Sequence, residues 1–106
     1  MGIFDFLKQP DINKGVEEFK ATAGAVLVDV RTPEEYRSGH IPGSCNIPLQ
    51  QLELVSAVAE KKDTALYVHC HSGARSRQAA AFLQSMGYTN VHNIGGITAY
   101  RGKMEK

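Results

Sequence analysis

The sequence predicts an α/β fold in which a mostly parallel central sheet is flanked by helices on both faces, and three observations carry that expectation. Short runs at 25–30, 65–69 and 91–94, rich in β-branched residues, are largely apolar instead of strictly alternating, as strands covered on both sides are. Stretches with apolar residues at helical spacing lie between them. Polar residues gather as the strands end, with Asp29 and Arg31 at the close of the first run and Cys70, Ser72, Gly73 and Arg75 after the second. That is the edge where open α/β sheets place their ligands.

The elements follow in order. Asp11 is an N-cap, and Ile12, Val16 and Phe19 put one apolar stripe on a helix that ends near Thr22, with Gly24 as its stop. The strand at 25–30 comes next. Thr32-Pro33-Glu34-Glu35 has the form of a helix start, with Thr as N-cap, Pro in first position and Glu35 completing a capping box. This short helix runs to about Ser38 and Gly39 ends it. Two prolines and Gly43 keep 40–48 extended, with one short strand at 44–46. Leu49, Leu52, Leu54, Val55, Val58 and Ala59 then trace a helical face that stops at Lys61-Lys62-Asp63.

After the strand at 65–69, a helix over about 76–86 should turn Ala79, Ala80, Phe82, Leu83 and Met86 inward, and Gly87 suits the position after its end. The strand at 91–94 leads through Gly95-Gly96 into a final helix from Ile97 to about Lys103. Linkers, repeats and low-complexity segments are absent, so the expectation is one domain over 1–106 with an N-terminal segment at 1–10.

Composition bounds the function. A chain of 106 residues with 42% hydrophobic content can bury one core without staples. Its net charge of +1, with acidic and basic residues interspersed, gives no field suited to nucleic acid or an anionic membrane. Two cysteines do not make a disulfide framework, and no apolar run approaches the roughly 20 residues of a membrane span. A soluble, monomeric, cytoplasmic protein is expected. The start, Met-Gly-Ile-Phe-Asp-Phe-Leu-Lys, lacks the basic beginning and unbroken apolar core of a signal peptide, and Phe6 occupies the Ser or Thr position of a myristoylation pattern, so the chain reads as complete. Ile3, Phe4, Phe6 and Leu7 are expected to fold back on the domain, with a partner-docking tip as the alternative.

The segment Val-His-Cys-His-Ser-Gly-Ala-Arg-Ser at 68–76 carries the chemistry. A tight turn of small residues before a helix can aim successive N–H groups at one centre, and the helix dipole adds positive potential there. Such a pocket holds an anion. Cys70 at its base should be more acidic than a free thiol, helped by Arg75, which makes it a candidate nucleophile. A buried structural cysteine is the plainer account, but a core strand alone would not call for Ser72, Gly73, Arg75 and Ser76. His40, His69, His71 and His92 do not have the spacing of a metal set, and His71 is expected to face solvent, with a positive charge lent to the thiolate as the alternative. No metal or other cofactor is called for.

The segment Cys-His-Ser-Gly-Ala-Arg-Ser resembles the active-site loop of the rhodanese (thiosulfate sulfurtransferase) family. Leu-Val-Asp-Val-Arg-Thr-Pro-Glu-Glu-Tyr at 27–36, Gly-His-Ile-Pro-Gly-Ser-Cys-Asn-Ile-Pro at 39–48 and Ile-Gly-Gly-Ile at 94–97 are similar to the same family, so the likeness covers nearly everything after residue 20. The resemblance implies a rhodanese-like fold and assigns sulfur transfer to Cys70: the thiolate takes the outer sulfur of a small anionic donor such as thiosulfate, releases sulfite, and passes the sulfur to a thiol or cyanide-like acceptor. The loop residues His71, Ser72, Gly73, Ala74, Arg75 and Ser76 would bind the substrate, with Asp29 and Arg31 as loop support. Tyr100 stands where the family often has Trp, which keeps an aromatic and drops the indole.

Arg75 either binds the sulfonate of the donor or locks the loop by pairing with a carboxylate, for which Asp29 is the named partner. Arg31 is expected to pair with Glu34 or Glu35, and its place at the C-terminal edge of a strand keeps it a candidate for touching substrate. Ser72 and Ser76 either donate to the persulfide or simply fit a tight turn. Cys45 reads as a filler rather than a resolving thiol. Two further functions compete with the enzyme reading: a persulfide carrier or binding module served by a protein sulfur donor or acceptor, and a phosphatase of the related cell-cycle family. The loop length separates the last, since Cys70 and Arg75 are divided by four residues where those phosphatases have one more.

Overall fold

The computed structural model describes residues 10–106, so the readings made for the apolar N-terminal cluster lie outside the described residues. Strands β1 (Val26–Asp29), β2 (Ser44–Asn46), β3 (Leu66–Cys70) and β4 (Val91–Gly96) form one sheet in the order β2-β1-β3-β4. Every neighbouring pair is parallel, with Val28 opposite both Cys45 and Val68. Parallel neighbours require crossovers, and these place helices on both faces. One face is covered by helix α1 (Ile12–Ala21) and the turn Ile97–Ala99, and there Ile12, Val16, Leu27, Tyr67, Ile94 and Ile97 pack together. On the other, α3 (Ala74–Ser85) and the segment Leu49–Ala57 cover Val28, Val30, Leu66 and Val68. Successive strand residues thus enter opposite cores, which is why their sequences are apolar without alternation.

The local signals act as their chemistry dictates. The Asn13 amide donates to the Asp11 carboxylate at 3.0 Å and starts α1. Helix α2 (Pro33–Ser38) carries a reciprocal capping box: the Thr32 amide donates to Glu35 Oε1 at 2.9 Å, and the Glu35 amide to Thr32 Oγ1 at 3.2 Å. The short strand at 44–46 is β2, and Gly87 follows the end of α3 in a left-handed conformation.

Three elements differ from the sequence reading. Leu49–Ala57 winds as 3-10 turns broken at Gln51. Leu49, Leu52 and Val55 recur every third residue, which a 3-10 helix aligns on one side, so Leu52 and Val55 are buried while Leu54 stands exposed; Val58, which caps the segment after its last turn, is exposed as well. In α3, Ala79 and Leu83 point inward as expected, whereas Phe82 is 47% exposed. The expected final helix stops after one turn, Ile97–Ala99. The Asn13 side chain donates to the Ala99 carbonyl at 3.0 Å and accepts from the Arg101 amide at 2.8 Å, taking groups that a longer helix would use. Beyond Gly102 the chain pairs instead with His40, through two backbone hydrogen bonds of 2.8 Å between His40 and Glu105.

Between β3 and β4 the register slips: Val68 faces Asn93, but His69 faces Gly95. This bulge brings the Gly95-Gly96 backbone under the turn that follows Cys70. A Cβ on Gly96 would lie 2.5 Å from the His71 carbonyl oxygen and 2.6 Å from Ser72 Cα, so only glycine allows that approach.

Candidate active site

Cys70 is the last residue of β3, 1% exposed, on the α3 side of the sheet. Helix α3 starts at Ala74, two residues earlier than expected, so Arg75 and Ser76 belong to its first turn and the turn proper is His71–Gly73. Gly73 holds the N-cap at φ +106°, a left-handed conformation that a side chain would strain. In that conformation its amide donates to Cys70 Sγ at 3.0 Å, and Ser76 Oγ lies 3.6 Å from the same sulfur. Burial pushes the Cys70 thiol up, but the Ser76 amide and hydroxyl, followed by the Gly73 and Ser72 amides, outweigh it and hold the thiol below its ordinary value. A sulfur anion at the head of a helix, met by converging N–H groups, is the arrangement that makes a thiolate available as a nucleophile.

The arginines take partners other than those named from the sequence. Arg75 does not meet Asp29: its guanidinium makes a two-pronged pair with Glu35, Nη1 to Oε1 at 2.7 Å and Nη2 to Oε2 at 3.0 Å. The Glu35 carboxyl is pulled down to about 2, chiefly by that Arg75 hydrogen bond, against opposition from burial. Arg31 does not pair with the Glu34 or Glu35 carboxylate. Its Nη2 lies 2.8 Å from Asp29 Oδ2 and 2.8 Å from the Gly39 carbonyl oxygen, its Nε donates to Asp29 as well, and both side chains are buried. The preference follows from reach: Glu35 already caps α2 and faces Arg75, while Asp29 turns into the sheet end beside Arg31. Asp29 and Arg31 thus brace the strand edge beneath Gly39, and Glu35 and Arg75 tie α2 to α3.

The histidines separate. His71 is exposed. His69 is fully buried on the opposite face, its Nε2 3.9 Å from Asp29 Oδ2, with neither ring nitrogen hydrogen-bonded among the described residues. Burial holds its imidazole below the ordinary histidine value. His40 stacks on Tyr36 at 3.8 Å and His92 on Tyr67 at 4.7 Å. Among the described residues no three metal-ligating side chains converge. Cys45 lies on the edge strand β2, two strands and two register steps from Cys70. Strand spacing and rise put the two Cα atoms roughly 12 Å apart, beyond the ~7 Å limit for a disulfide.

Two residues of the site were not found by sequence reasoning. Glu35 was legible as a cap, but nothing local ties it to an arginine forty positions away. Asn93, whose Oδ1 accepts from Ser76 Oγ at 2.7 Å, carries no signal in the sequence beyond being a polar residue in the 91–94 run.

Comparison with known proteins agrees with this geometry. Residues 13–103 match the family described as Rhodanese-like domain. The thiosulfate sulfurtransferase PspE of Escherichia coli is 44% identical over 72 residues, 66% of this chain and 68% of that protein. The putative sulfur carrier protein YrkF of Bacillus subtilis is 39% identical over 80 residues, 74% of this chain and 43% of that protein. Among solved structures, a rhodanese with anions from E. coli superposes with a TM-score of 0.73 at 36% identity, covering 77% of this chain and 98% of the other. With the all-parallel sheet, the cysteine at its carboxyl edge and a match over almost the full described length, the chain belongs to the family of rhodanese-like domains.

Proposed function

We propose that the protein is a sulfurtransferase that carries a sulfane sulfur from an anionic donor such as thiosulfate to a thiophilic acceptor, as a persulfide on Cys70. The observation that carries this reading is the placement of Cys70 Sγ at the head of α3 with the Gly73 amide 3.0 Å away. In the first step the thiolate forms a bond to the outer sulfur of thiosulfate, the bond to the sulfonate sulfur breaks, and sulfite leaves with the electron pair. The negative charge moves to the outer sulfur, where the amides of the 71–76 stretch stabilise it as an oxyanion hole stabilises oxygen. An acceptor nucleophile then attacks that outer sulfur, the persulfide S–S bond breaks, and Cys70 is again a thiolate. No external oxidant or reductant enters. Arg75 serves this cycle by locking α2 to α3 through its pair with Glu35.

Intact mass tests the reading. Wild-type protein should gain one sulfur atom from thiosulfate and lose it to cyanide, and Cys70→Ser should do neither. Loading of the Ser variant, or no mass change in the wild type with any sulfane donor, removes Cys70 from the mechanism. The likeness to a putative sulfur carrier favours a second reading, in which a partner protein loads and unloads Cys70. Loading only by a partner desulfurase, with none by thiosulfate, selects it. In either case we place the protein in a reducing cytoplasm as a single-domain monomer, acting without nucleic acid, membrane or cofactor.

A further inference from the structure

We propose that Asn93 is a positioning residue that sets, through the Ser76 hydroxyl, how readily Cys70 ionises; its role in catalysis rests on the reading of Cys70 as the sulfur carrier. Ser76 is fully buried, and its Oγ has four neighbours: Asn93 Oδ1 at 2.7 Å, the Gly73 carbonyl at 3.0 Å, the Gly95 carbonyl at 3.5 Å and Cys70 Sγ at 3.6 Å. One hydroxyl proton cannot satisfy all of them. The orientation of the Asn93 amide is fixed independently, because the Gly95 backbone N–H donates to the same Oδ1 at 3.1 Å and a backbone N–H can only donate. Asn93 therefore presents an acceptor to Ser76, and Ser76 must be the donor of that bond.

Two arrangements follow. With Cys70 as a thiol, its S–H donates to a lone pair of Ser76 Oγ while the Ser76 proton points at Asn93. With Cys70 as a thiolate, the sulfur can only accept, so the hydroxyl turns to it and Asn93 keeps the Gly95 N–H alone. Ionisation of Cys70 is thus a competition between the sulfur and Asn93 for one proton direction, with the Gly73 carbonyl as the weaker rival. Once charge has moved to the outer sulfur of a persulfide, the inner sulfur no longer needs the hydroxyl and the bond to Asn93 reforms. No proton leaves Ser76 at any stage. The bulge supplies the geometry, since the slip after Val68 places Asn93 and Gly95 together beside the first turn of α3.

Thiolate absorbance of Cys70, titrated in a Cys45→Ala background, tests the proposal. Asn93→Asp keeps both hydrogen bonds and strengthens its hold on the hydroxyl, since charged acceptors bind about twice as strongly; the thiolate fraction at a fixed pH below the midpoint should fall by about tenfold. Asn93→Ala removes the rival and should raise that fraction by about threefold, the scale of a neutral hydrogen bond. In a Ser76→Ala background the Asn93→Ala change should shrink by at least half, while the direct repulsion between the carboxylate of Asn93→Asp and the thiolate persists. A residue that only props the bulge predicts otherwise: Asn93→Ala would loosen the turn, withdraw the Gly73 amide from the sulfur and lower the thiolate fraction. That result, or an equal Asn93→Ala shift with and without Ser76, overturns the proposal. If Asn93→Asp does not fold, the sign of the Asn93→Ala shift still decides. Sulfur loading of the wild type by mass is read separately, so a failed transfer assignment and a failed Asn93 assignment cannot be confused.

Discussion

Glu35 and Arg75 meet across two helices in a two-pronged pair, and Glu35 Oε1 takes the Arg75 guanidinium at 2.7 Å and the Thr32 amide at 2.9 Å together. One carboxylate therefore starts α2 and anchors the first turn of α3. Gln can still cap, so Glu35→Gln isolates the charge pair. The two side chains are close to one-third exposed, and after discounting for solvent screening the pair should contribute about 1 kcal/mol. The sign of its pH dependence is set by a carboxyl held at about 2 against an ordinary 4.5. The contribution is full above about pH 4.5 and is lost as pH falls toward 2. Urea unfolding of wild type and Glu35→Gln should show a gap at pH 6 that closes by pH 2; a gap independent of pH would refute the assignment.

Arg31 is the riskier residue to remove. Arg31→Ala leaves the Asp29 carboxylate buried without its partner and strips a donor from the Gly39 carbonyl, and the expected loss is about 3–5 kcal/mol. The double variant Asp29→Leu, Arg31→Met should recover much of it, because neither residue leaves a stranded charge. Chemical denaturation of the three proteins measures this. A stable Arg31→Ala with sulfur transfer abolished would instead make Arg31 a substrate ligand.

Cys45→Ala should keep most sulfur transfer, since a span of roughly 12 Å between the cysteines leaves no route to an internal disulfide without strand movement. Steady-state turnover of the variant checks it, and a collapse with intact fold would point to a two-cysteine relay.

Loop length bears on reaction class. Four residues separate Cys70 from Arg75, and Gly73 is already the helix cap whose amide touches the sulfur. On the proposed reading the cradle receives a single sulfur atom, whereas a phosphoryl group needs donors around three oxygens. Aryl phosphate hydrolysis by the wild type should be negligible. A glycine inserted between Ser72 and Gly73 should lower sulfur transfer by on the order of a hundredfold, the effect of a displacement near 1 Å. Cysteine-dependent phosphatase turnover matching sulfur transfer would refute the size argument.

The parts of the fold legible in the sequence were those fixed by neighbouring residues. Asp11, Thr32 with Glu35, and Gly87 marked helix ends because capping is decided within one turn, and β2 was bounded by the glycine and proline on either side. Cys70 and its turn were legible for the same reason. What escaped depended on residues far apart in the chain. Nothing near Ile97 announces that Asn13 will take the groups of the next turn, and nothing near Arg75 announces Glu35. Asn93 became part of the site only through a register slip between two strands, and a slip leaves no local signature. Leu49–Ala57 escapes for another reason: a three-residue apolar spacing and a helical one share most of their positions over so short a stretch.

The strand order β2-β1-β3-β4 also has a consequence for how the site comes into being. β1 and β3 pair residues forty positions apart, Val26 with Leu66, and β4 can join only after β3 is in place. Such contacts close large loops and form late and slowly compared with a capped helix. Until they form, Cys70 has no converging amides, no Ser76 held beside Asn93, and the acidity of any cysteine in a disordered chain. The environment that lowers the Cys70 thiol is thus a property of the finished fold, and no short stretch of the chain carries it alone.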